Sequence, residues 1–138
     1  MLDEEDELYQ EVTMILNNFK IPANMAGFDF LRSAVLECVK NKELCDGNTT
    51  LLYRHLAEKL ETNVPHIERN IRNAIDRAFN LNGLLAINEY CNTVVYQNNF
   101  KFTNSELIYS LVEIVKIRIM KKKLAKKSLV ECEEVCAD

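Results

Sequence analysis

Glycine is scarce in this 138-residue chain, with three in all, and that scarcity excludes the glycine-rich loops that cradle phosphates in nucleotide-binding enzymes. Only two prolines occur, and Pro22 and Pro65 each mark an expected helix boundary. The five cysteines, Cys38, Cys45, Cys91, Cys132 and Cys136, are odd in number and form no C-x-x-C pair, so reduced thiols are expected rather than a disulfide framework. Neither His55 nor His66 stands near a cysteine pair at zinc spacing, and Cys132 and Cys136, one helical turn apart, are too weak a signal for a metal or redox site. No apolar run approaches 18 residues, and the acidic start MLDEEDELYQ is unlike a secretory signal, so a cytoplasmic chain with no membrane contact is expected. There is no nucleophile with a credible base. The reading is therefore of a protein that is not an enzyme and holds no cofactor and no metal.

What is present is enough for one domain with a real core, since 48% of the residues are hydrophobic. The net charge of −4 argues against a polyanionic ligand only until its distribution is considered. Residues 1–19 hold six acids and no base, and residues 128–138 hold four acids and no base. All 17 bases lie between, against eleven acids, so residues 20–127 carry +6. A basic body of this kind between acidic ends is compatible with binding phosphates, because binding follows the local field rather than the sum. The acidic ends are solubilising segments or competitors for that basic face.

The hydrophobic period is helical almost throughout, and the expected fold is all-α with about six helices around a central helix-turn-helix. Leu8, Val12, Ile15, Leu16 and Phe19 mark a first helix, stopped by Pro22; Leu31, Ala34, Val35, Cys38 and Val39 mark a second, ending near Asp46-Gly47-Asn48. Asn82-Gly83 breaks the chain before a short helix over 84–91, and 92–102, with no partner strand for Thr93 to Tyr96, reads as a loop. Thr103-Asn104-Ser105-Glu106 fits a capping box that opens the last helix, with Leu107, Ile108, Leu111, Val112, Val115 and Ile119 as its core stripe. Beyond Met120 that helix can run on into Lys121, Lys122, Lys123, Lys126 and Lys127, either a solvated end or a clamp for backbone phosphates.

Between them, residues 52–79 read as helix, tight turn and helix. Leu52, Leu56 and Leu60 recur every four residues, with the small Ala57 where the next helix crosses. Thr62 and Asn63 offer caps, and Pro65 pushes Val64 toward an extended conformation and begins the second helix. In that helix Ile67, Ile71, Ala74, Ile75 and Ala78 form one buried stripe, and His66, Arg69, Asn73 and Asp76 lie opposite. Tyr53, Arg54 and His55 on the first helix are candidates for touching phosphate.

Three separated stretches, IPANMAGFDFLRSAV (21–35), LAEKLETNVPHIERNIRNAID (56–76) and TNSELI (103–108), resemble in order and spacing the C-terminal DNA-binding effector domain of the master response regulator of sporulation initiation in endospore-forming Firmicutes. The resemblance covers about residues 12–120. It implies a six-helix domain that binds a short box of double-stranded DNA, usually as a tandem dimer, and regulates transcription. With the charge distribution, the expected organisation is an acidic leader over 1–11, the DNA-binding domain over 12–127 and an acidic tail over 128–138. The family's recognition core, Val-Glu-Arg-Ala-Ile-Arg-His-Ala-Ile in character, is matched by residues 67–75, which assigns DNA-contact roles to Glu68, Arg69 and Arg72. The chemistry agrees: guanidinium groups pair with guanine O6 and N7, and a carboxylate accepts from cytosine N4. Asn73 replaces the family's usual histidine and suits adenine, and Asn70 replaces a small alanine, which either loosens the helix crossing or adds a polar contact. With about 20 residues before the module in this sequence, the expectation is a regulator outside receiver control. It binds family boxes alone, or competes with or antagonises a full-length regulator through shared DNA or shared dimer contacts, as in a heterodimer through its last helix without useful DNA binding, or is the separately expressed fragment of a larger protein.

Overall fold

The computed structural model describes residues 3–45, 49–91 and 101–136, and within them all regular structure is helical. Six α-helices follow in order: α1 Glu4–Asn18, α2 Ala26–Lys40, α3 Thr49–Lys59, α4 Val64–Asn80, α5 Ala86–Cys91 and α6 Asn104–Cys136. Short 3-10 turns at Lys42–Cys45 and Gly83–Leu85 lead into α3 and α5. The loop expected at 92–102 falls for the most part, at 92–100, outside the described residues.

Each boundary has a local cause. The carboxylate of Asp3 accepts from the Asp6 amide at 2.8 Å, and Glu4, Glu5, Asp6 and Glu7 fill the first turn of α1, where negative charge meets the positive end of the helix dipole. So α1 opens within the acidic leader. It ends where Lys20 turns to φ 58°, two residues before Pro22. The second helix stops earlier than its expected end near Asp46-Gly47-Asn48, residues that are themselves outside the described set. It stops at Lys40 because Asn41 is extended, at φ −132° and ψ 100°, and the Asn41 side chain accepts from the Glu43 amide at 3.2 Å, closing a local turn.

α2 lies at the centre and touches α1, α3, α4 and α6. Its closest approach is to α4 at Gly27: a Cβ there would sit 2.2 Å from the Asn70 carbonyl oxygen and 2.6 Å from the Ala74 Cβ. Only glycine fits that crossing. Leu31, Leu52, Leu56, Ile67, Ile71 and Leu107 are fully buried around it, each contributing about 1.5–3 kcal/mol by leaving water. Leu60 is outside this core, 38% exposed, because α3 ends at Lys59.

The capping box forms: the Glu106 amide donates to Thr103 Oγ1 at 3.1 Å and the Thr103 amide to Glu106 Oε1 at 3.2 Å. From there α6 runs 33 residues, through the lysine-rich stretch and on to Cys136. Its inner face meets α1. The buried carboxylate of Glu11, 3% exposed, bonds both Arg118 and Lys122, the latter at 2.7 Å. Lys126 pairs with Glu7 at 3.2 Å.

Candidate nucleic-acid interface

α4 is held at its start by Asn63, extended at φ −128° and ψ 159°, whose side chain accepts from the His66 amide at 2.9 Å. The extended residue is thus Asn63, and Val64 already belongs to the helix. Proline is tolerated in this first turn because its missing N–H has no intrahelical acceptor. With Ile67, Ile71, Ala74, Ile75 and Ala78 buried, the outward positions follow from the 3.6-residue period. Arg69 stands centrally, exposed and without an ion-pair partner among the described residues. His66, Asn73 and Arg77 are exposed along one side of it. Glu68, Arg72 and Asp76 lie along the other, toward the start of α6.

That second flank is a bonded network. Arg72 Nε donates to Asp76 Oδ1 at 3.1 Å, and Lys101 Nζ reaches the same oxygen at 3.0 Å. Lys101 also lies over the Phe79 ring, 5.3 Å from its centre. Partial burial works against ionisation of Asp76, but the Lys101 hydrogen bond and the Arg72 charge outweigh it and hold the carboxyl below its ordinary value. One Arg72 nitrogen, Nη2, is enclosed without a hydrogen-bond partner among the described residues. The Asn104 side chain donates to the Glu68 carbonyl at 3.1 Å, and Thr49 and Ser105 hydroxyls meet at 3.2 Å. These contacts fix the start of α6 against α4 and the start of α3 against that of α6.

On the opposite flank, Asn70 donates to the His66 carbonyl at 2.7 Å. Its polar group is therefore satisfied within α4, while its backbone forms the Gly27 crossing. The His66 ring meets Phe30 edge-on, 5.6 Å between centres.

Glu68, Arg69, Arg72, Asn73 and His66 are thus brought together on one helix, and Lys121, Lys122 and Lys123 are not with them. Asn104 touches α4, and Lys122 follows 18 residues later, about 27 Å along the helix. Lys122 is bound to Glu11, whereas Lys121 and Lys123 are exposed without an ion pair among the described residues. Of the candidates on α3, Arg54 is exposed. Tyr53 is 3% exposed, its hydroxyl pKa raised by burial, because it faces the core and not solvent. His55 is engaged by Glu37 at 3.0 Å, which Lys59 also bonds.

Sequence reasoning passed over Arg77 and Lys101. Continuing the outward stripe one more turn, from Asn73, would have found Arg77. Nothing local signals that Lys101 sits against Asp76, 25 residues earlier.

Two helices joined by a tight turn, the second laid across α2 and presenting arginine, asparagine and glutamate outward, define a helix-turn-helix module. The chain belongs to the family of the sporulation initiation factor Spo0A C-terminal domain, whose model matches residues 12–115. This is a family of DNA-binding transcription regulators of sporulation and not of enzymes. Among the described residues, no helix is long and apolar enough to cross a membrane.

Proposed function

We propose that this chain regulates transcription by laying α4 in the major groove of a short duplex DNA box. Arg69 reads guanine, Arg72 and Glu68 read neighbouring bases on one flank, and Asn73 reads adenine on the other. His66, Arg77, Lys101 and Arg54 contact the flanking phosphates, which position the helix without reading sequence. The observation that carries this reading is Arg69: an exposed guanidinium without an ion-pair partner among the described residues, central on the outward face of a capped helix whose other faces are held by α2 and α6. A DNA-binding regulator of this family acts in the cytoplasm.

The test is selection of bound sequences from random duplex DNA, followed by titration of the selected box and a scrambled duplex at two salt concentrations. Arg69→Ala should remove about 1–3 kcal/mol of discrimination while leaving scrambled DNA nearly unaffected. Lys123→Ala should weaken both duplexes alike if the distal lysines touch phosphate. If the wild type binds selected and scrambled DNA equally and Arg69→Ala changes neither, the reading fails, and a protein-interaction module that modulates a full-length regulator takes its place.

A further inference from the structure

Asn70 and His66, one turn apart on α4, meet twice. The Asn70 side-chain nitrogen lies 2.7 Å from the His66 carbonyl oxygen and 3.4 Å from His66 Nδ1. A carbonyl oxygen only accepts, so the group facing it is the NH2 end of the Asn70 amide, and the direction of that amide is fixed. An NH2 group has two hydrogens and no lone pair to offer. The hydrogen not used by the carbonyl faces Nδ1, and Nδ1 must then present its own lone pair. A neutral imidazole carries its proton on one nitrogen only, which is here Nε2.

Both ends of this contact are anchored. The His66 amide donates to the Asn63 cap at 2.9 Å, and the Asn70 carbonyl forms the tight crossing with Gly27. Phe30, reaching from α2, meets the imidazole edge-on, with ring centres 5.6 Å apart and planes at 79°, an arrangement that aromatic rings favour. His66 itself is exposed in the first turn of α4, and its Nε2 has no partner among the described residues. We infer that Asn70 is a positioning residue: with Phe30 beside the ring, it holds His66 as the Nε2–H tautomer, which donates one neutral hydrogen bond outward to a phosphate oxygen flanking the DNA box. This rests on the reading of α4 as the helix that faces DNA. His66 thereby supplies a directed contact without supplying a cation, so it leaves the salt dependence of binding unchanged.

The experiment has two arms, both on the full chain. In the first, without DNA, long-range nitrogen–proton NMR spectra at about pH 8, where imidazole is ordinarily neutral, report which ring nitrogen carries the proton. The chain has two histidines, and His66→Gln identifies the signal of each. His66 should be mainly Nε2–H in the wild type, mixed in Asn70→Ala, and mainly Nδ1–H in Asn70→Asp, whose carboxylate accepts where the amide donated. In the second arm, the selected and scrambled duplexes are titrated at two salt concentrations. His66→Ala should weaken both by roughly three- to tenfold with no change in salt slope. His66→Gln, whose amide donates from nearly the place of Nε2–H, should stay within about twofold of the wild type, and Asn70→Ala should fall between the two. A wild-type His66 with its proton on Nδ1, or one tautomer common to all three chains, overturns the inference. So does a His66→Gln chain as weak as His66→Ala, or a salt slope that drops by about one unit in His66→Ala, the mark of a bound cation. The two readings fail in different ways: if Arg69→Ala is costly while His66→Ala is silent, only this inference falls, whereas an Arg69→Ala chain that discriminates as well as the wild type sinks the reading of α4.

Discussion

Asp76 sits one helical turn from Arg72, accepts from it at 3.1 Å and holds Lys101 at 3.0 Å. The carboxylate leaves Arg72 one fixed orientation and lowers the positive charge offered to phosphate. Asp76→Ala should therefore act in opposite directions on two readouts. Affinity for scrambled DNA should rise and its salt dependence steepen by about one unit of slope, as one more cation is freed. Discrimination at the base that Arg72 reads should fall, because the guanidinium, freed from Asp76, is no longer held in one direction. Titrations of matched and single-mismatch duplexes at two salts measure both. Arg69 and Asn73 were legible because helical period sets them opposite the buried isoleucines, whereas the role given to Arg72 rested on the family resemblance. The restraint on Arg72 was not legible, since Lys101 belongs to a segment that only the fold carries to α4.

At the scale of the element, caps and crossings decide where helices stand. The Asn63 cap and the Thr103–Glu106 box were readable because both are local, spanning three residues and involving only backbone and side chains in sequence neighbourhood. The end of α2 was read too far along because the turn that Asn41 makes with Glu43 breaks no hydrophobic pattern. Gly27 was equally silent in the sequence, although it sets how near α2 comes to the helix that faces outward. We expect Gly27→Ala to destabilise the fold at the upper end of about 1–3 kcal/mol, since the new methyl meets backbone that cannot move without tilting α4. Thermal unfolding should report that loss. Sequence-specific DNA affinity should fall by more than the loss of folded chain explains, because the surviving molecules present α4 at a shifted angle.

Across the whole molecule, the acidic beginning and the lysine-rich helix are fastened together rather than free. Burial alone would raise the Glu11 pKa, but the Lys122 and Arg118 hydrogen bonds prevail and lower it; Glu37, bound by Lys59 and His55, behaves likewise. A carboxylate depressed in the folded state adds stability above its unfolded value, about 4.3 for glutamate, and that stability disappears as pH falls through the lower folded value. Urea unfolding should thus show a plateau near neutrality and a decline below about pH 4. Glu11→Gln should lose about 1–2 kcal/mol at pH 7, moderated because its cationic partners can turn to water, and should show a shallower acid decline. The sequence by itself determined the all-helical class, the helix-turn-helix and the outward arginines, because period, caps and prolines act over a few residues. Only the tertiary structure decided which charges remain available. Whether a lysine is a phosphate clamp or the partner of a buried glutamate depends on which helix packs beside it, and Glu11 and Lys122, 111 residues apart, meet only when α1 and α6 fold onto the same core.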